Sequence, residues 1–108
     1  MATVAEFFSE LQGKVDPTKI AGMNATYQFD ISGDQGGTWH VKLADGAASV
    51  NDGPAENPSI TLNATDQNWL DIVSGKLSGQ TAFLTGKLKI KGDMGLAMKL
   101  QNVFALGK

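Results

Sequence analysis

Apolar residues first recur at a helical spacing. In "TVAEFFSELQG", Val4, Phe7, Phe8 and Leu11 fall on one face, which predicts a helix over 3–12. Thr3 with Glu6 three residues on forms a capping box, and Gly13 supplies a stop. The period then changes from helical to alternating. Tyr27, Phe29 and Ile31 alternate with Gln28 and Asp30, and Trp39, Val41 and Leu43 alternate with Thr38, His40 and Lys42. "GDQGG" reads as the loop between these two strands, and Asp45-Gly46 as a type I′ turn into "AASV". After the punctuation "NDGPAENP", Ile60, Leu62 and Ala64 point one way along "SITLNAT". These four strands read as a meander with one wet face and one face that needs a cover.

The cover is predicted to follow. Thr65 or Asp66 caps a short helix carrying Trp69, Leu70, Ile72 and Val73 and ending at Gly75, and Ser78 caps a second over "GQTAFLTG". "KLKIKG" reads as a fifth strand and "DMGLAMKLQNVFAL" as a terminal helix capped by Asp93. The order of elements predicts an α+β fold, with about four to five helices on one face of a five-stranded, mostly antiparallel sheet.

The terminal helix carries more apolar surface than one sheet face requires. At ~100° per residue, Lys99 and Asn102 make a narrow outward stripe beside Gly95 and Leu106, while Leu96, Leu100, Val103, Phe104, Ala97, Met94, Ala105 and Met98 cover roughly 220°. A stripe of a little over ~100° suffices for a surface helix. Three readings stay open: a helix wedged between the sheet and other helices, a helix packed on a second subunit, or one flank lining a ligand cavity. Gln101 sits within the apolar arc and is the kind of polar group that orients a ligand in an oily pocket. Met94 and Met98 on the same flank adapt to variable shapes, or simply fill gaps.

Composition narrows the chemistry. The 108 residues fit one domain, 1–108, with one core. A hydrophobic fraction of 42% with 19% charged residues is that of a globular protein. A net charge of −2 argues against nucleic acid as a partner. There is no cysteine, and the single His40 cannot build a multi-histidine metal site. His40 is predicted exposed on the polar side of its strand. The serines near turns sit in no G-x-S-x-G elbow, and the aspartates read as caps and solvated side chains, so no catalytic residue, metal or cofactor is expected. Lys87, Lys89 and Lys91 share one strand face, either as an edge-protecting row or as a contact for lipid headgroups or coenzyme A phosphates. The N-terminal stretch lacks the basic and apolar regions of a secretory signal, no window of ~20 apolar residues spans a bilayer, and "ALGK" is not a peroxisomal tripeptide. A cytoplasmic location is the expectation.

The segment "SGQTAFLTGKLKIKGDMGLAMKLQNVF" closely resembles the C-terminal half of the sterol carrier protein type 2 family, with its G-K-L-K-I-x-G-[DN]-M-G-L-A-M-K-L strand-helix unit. The match covers roughly a quarter of the chain, and the N-terminal helix and the "GTWHVKLADGAASV" hairpin agree more loosely. The resemblance implies a five-stranded α+β domain enclosing an apolar tunnel for fatty acids, fatty acyl-CoA esters, phospholipids or sterols. It implies a lining of Phe83 and Leu84 from the short helix and Met94, Ala97, Met98, Gln101, Val103 and Phe104 from the last. Trp69, Ile72 and Val73 come next, and Gln80 matches a position near the tunnel mouth. The expectation is therefore a non-catalytic lipid carrier, monomeric and closed by its last helix, with a lipid as partner and a transient membrane contact left open. The alternatives are an acyl-CoA-presenting accessory domain and a structural dimerisation module.

Overall fold

The computed structural model describes residues 3–104. Helix α1 (Val4–Lys14) precedes three strands, β1 (Ala25–Ser32), β2 (Gly37–Ala44) and β3 (Ala47–Asp52). Then come β4 (Ile60–Thr65), α2 (Asp66–Val73), α3 (Gly79–Leu84), β5 (Leu88–Gly92) and α4 (Met94–Val103). The Thr3 hydroxyl accepts from the Glu6 N–H at 3.1 Å and caps α1, as its spacing predicts. The helix nevertheless runs through Gly13 to Lys14, because Val15 and the buried face of α1 hold the last turn against the core. Asp45 and Gly46 both have positive φ, 54° and 74°, the geometry a type I′ turn needs.

The sheet order is β3-β2-β1-β4-β5. The first three strands form an antiparallel meander. β4 departs from the expected four-strand meander by pairing with β1, and in parallel, so that the sheet is mixed. Burial supplies the reason. β3 alternates small and polar residues and is suited to an edge, whereas Tyr27, Phe29 and Ile31 of β1 are all buried and need apolar neighbours on both sides. The register aligns Tyr27 with Ile60, Phe29 with Leu62 and Ile31 with Ala64. Gln28 helps hold the crossover, its side-chain oxygen accepting from the Ala55 N–H at 2.9 Å.

One sheet face is covered by helices and the other is polar. α1 and α2 fill the centre of the covered face with an aromatic cluster: Phe8 stacks on Trp39 at 4.4 Å, and Trp69 meets Phe29 at 5.3 Å and Phe7 at 5.7 Å. His40 is half-buried rather than exposed, because its Nδ1 lies 2.9 Å from the Gly53 carbonyl, which accepts the imidazole N–H. The ring thereby ties β2 to the end of β3, a structural task.

Candidate functional site

The site is built by α3, β5 and α4. Ser78 caps α3 by accepting from the Thr81 N–H at 3.1 Å. The helix closes where Lys87 N–H donates to the Ala82 carbonyl at 2.8 Å, with Gly86 at φ +80° making the turn. β5 then presents Leu88 and Ile90 to the helices and Lys89 and Lys91 to the other side. Gly92 turns the chain from strand to helix at φ +110°, and a Cβ there would lie 2.5 Å from the Ser59 carbonyl oxygen. Asp93 starts α4, its carboxylate accepting from Gly95 N–H at 2.8 Å and Leu96 N–H at 3.3 Å.

A second tie fixes the tilt of α4. The Tyr27 hydroxyl, from the central strand, donates to the Leu96 carbonyl at 2.7 Å. Burial, and then the nearby Asp93 charge, push the Tyr27 phenol up to about 12, so it remains a donor at any physiological pH.

Between these elements lies a cavity of about 390 Å³, lined by Gln80 and Phe83 of α3, Leu88 and Ile90 of β5, and Met94, Ala97, Met98 and Leu100 of α4, with Gly79 at its edge. The volume falls in the ~300–1,000 Å³ range of ligand pockets. Among the described residues Gln80 supplies the one polar side chain of the wall, and no ionisable group lines it. Phe83 is 41% exposed and Met94 47%, so the cavity opens to solvent along its α3–α4 rim. Such a wall can desolvate a hydrocarbon chain.

Five sequence-predicted residues meet in this wall: Gln80, Phe83, Met94, Ala97 and Met98. The structure places the others elsewhere. Trp69, Ile72 and Val73 face inward from α2 into the aromatic core, and the Trp69 indole N–H has no hydrogen-bond partner there. Val103 and Phe104 continue from α4 into the same core, where Phe104 meets Tyr27 edge-on at 4.9 Å. Leu84 ends α3 pointing outward, at 74% exposure. The backbone of α4 includes Gln101, but its side chain lies outside the described residues, as do Ala105 and Leu106. Leu88, Ile90 and Leu100 were not singled out from the sequence as lining residues. Their signal was present in the alternation of β5 and in the arc of α4, but both read equally well as plain core.

On the opposite face of β5, Lys87 and Lys89 border a smaller polar cleft of about 250 Å³ with Asn63, Thr65 and Asn68. Lys91 lies outside that lining.

The model of the SCP-2 sterol transfer family matches residues 5–105. The chain belongs to that family. Its members place it among lipid-binding and lipid-transfer domains in general. The solution structure of sterol carrier protein domain 2 of Helicoverpa armigera is similar with a TM-score of 0.77 at 30% identity, over 94% of this chain and 85% of that one. The solution structure of palmitated SCP2L2 from Aedes aegypti is similar with a TM-score of 0.77 at 26% identity, covering 94% of each chain. Hydroxysteroid dehydrogenase-like protein 2 of Danio rerio is 33% identical over 106 residues, 97% of this chain but 26% of that protein. The chain thus spans about a quarter of the length of the curated relatives it matches. Among the described residues no helix is long and apolar enough to cross a membrane.

Proposed function

We propose that this protein is a non-catalytic carrier of fatty acids, holding the acyl chain in the α3–β5–α4 cavity with α4 closing over it. The observation that carries the reading is the wall itself, which among the described residues has seven apolar side chains, one glutamine and no ionisable group. Each buried methylene contributes ~0.8 kcal/mol, enough for a long chain to outweigh its ordering cost. Gln80, exposed at the mouth, would orient the carboxylate or its water. The palmitated state of the Aedes aegypti relative supports the same ligand class.

Native mass spectrometry of the freshly purified protein, followed by solvent extraction, tests this directly. A discrete adduct of fatty-acid mass is expected, and Ala97→Phe, which fills the cavity, should abolish it while the protein stays folded. An Ala97→Phe protein that loads fatty acid like the parent would refute the site.

The polar cleft beside Lys87 and Lys89 favours a second reading, in which the ligand is an acyl-CoA ester whose phosphates meet the lysines. Binding of the ester should then weaken with salt while binding of the free acid changes little.

A further inference from the structure

Half of the sulfur atoms of this chain stand in the cavity wall. The sequence holds no cysteine and four methionines, Met1, Met23, Met94 and Met98. Met94 and Met98 lie one turn apart on α4, stacked on the same flank, and both line the cavity. Both are also open to water, Met94 at 47% exposure and Met98 at 85%. Met23 is half-buried and packs against the hydrophobic core, and Met1 lies outside the described residues. With no thiol to compete, the exposed thioethers are the groups that a two-electron oxidant meets first.

We propose that Met94 and Met98 form a reversible oxidation site, at which a hydroperoxide turns both thioethers into sulfoxides and the cavity loses its hold on hydrocarbon. A sulfur lone pair attacks one peroxide oxygen, the O–O bond breaks, and that oxygen stays on sulfur. The departing oxygen collects the proton and leaves as water, or as an alcohol where the hydroperoxide is organic. Sulfur is oxidised by two electrons and the peroxide reduced by two, so the step needs no other reactant. The effect on binding follows from the wall. Among the described residues Gln80 is its one polar side chain, so an acyl chain laid over a sulfoxide strips water from a strong dipole and offers little in return. The fold outlasts the change, because Leu100, Val103 and Phe104 keep the other half of α4 in the core. The rim that admits peroxide also admits the reductases that return each sulfoxide epimer to the thioether. The loss of binding rests on the carrier reading, whereas the choice of these two methionines rests on their exposure.

The test treats the full chain with hydrogen peroxide and follows two readouts together, tandem mass spectrometry of tryptic peptides and affinity for a fluorescent fatty acid. The peptide "GDMGLAMK" carries both residues and should gain oxygen first, Met98 ahead of Met94 and both ahead of Met23. Fatty-acid affinity should fall about tenfold or more as that peptide becomes fully oxidised. Methionine sulfoxide reductases A and B should together restore it. The double variant Met94→Leu with Met98→Leu serves as its own reference, and should keep its starting affinity through the same treatment. Unchanged affinity in a parent protein oxidised at both residues would overturn the proposal. So would Met23 oxidising as fast as Met98, or a double variant that loses binding in peroxide as the parent does. If the untreated parent takes up no fatty acid, the carrier reading fails, while the order of oxidation in the peptide map still decides the site.

Discussion

Helices α1 and α4 have similar lengths and opposite fates. α1 buries all four of its large apolar residues, none more than 3% exposed, against the sheet and α2. α4 buries Leu100, Val103 and Phe104 but leaves Met94 and Met98 to the cavity and its rim. The first helix has the apolar surface its packing uses. The last has a surplus, and the surplus is where the cavity lies. The core half of α4 holds the helix in place while the methionine half remains free to meet something else.

That contrast can be broken by substitution, beginning with the largest effect. Phe8→Ala in α1 and Phe104→Ala after α4 each remove a ring from the aromatic core and should cost ~3–5 kcal/mol by denaturant unfolding. Phe104→Arg should leave no folded protein in which to measure binding. Met94→Asp, on the exposed half of α4, should change stability little but reduce fatty-acid affinity at least about tenfold, since a carboxylate in the wall must be desolvated with the ligand. If Met94→Asp unfolds the protein as Phe104→Ala does, the division of α4 into two halves is wrong.

Smaller changes sharpen the picture within the methionine half and at the ties that hold it. Tyr27→Phe loses the bond to the Leu96 carbonyl and should cost ~0.5–1.5 kcal/mol at neutral pH. The unfolded tyrosine ionises near 10.0 and the folded one at about 12, so ionisation favours the unfolded chain over that interval. The stabilisation by Tyr27 is complete below pH 10.0 and lost as pH rises toward 12. The stability gap between parent and Tyr27→Phe should therefore narrow there, and a constant gap would show that the phenol is not held in its buried donor form. Asp93→Ala removes the α4 cap and should cost ~1 kcal/mol in thermal unfolding. Met98→Ser, at a site almost fully in water, should stay within ~0.5 kcal/mol of the parent.

Much of the fold was legible because it is written locally. The Thr3, Thr65, Ser78 and Asp93 caps, the Asp45-Gly46 turn and the alternation of Tyr27, Phe29 and Ile31 all act within a few residues. The site was legible in part, and for a different reason. The proportions of α4 showed an excess of apolar surface, and the five residues that meet in the wall lie in the segment that carries the family likeness. The residues of that surplus arc were not separable by periodicity: Met98 and Phe104 share the arc, yet one ends in solvent and the other against Tyr27.

By itself the sequence determined the elements, their order, the side of each strand that faces the helices, and the absence of thiol chemistry and of a multi-histidine site. Each follows from residue type and short-range spacing. Tertiary structure decided which strands are neighbours, since no local pattern encodes the pairing of β4 with β1 across the intervening β2–β3 hairpin. It also decided which half of an oily helix is core and which is cavity. Hydrophobicity drives burial without direction, so only the shape left between α3, β5 and α4 settles where the burial stops.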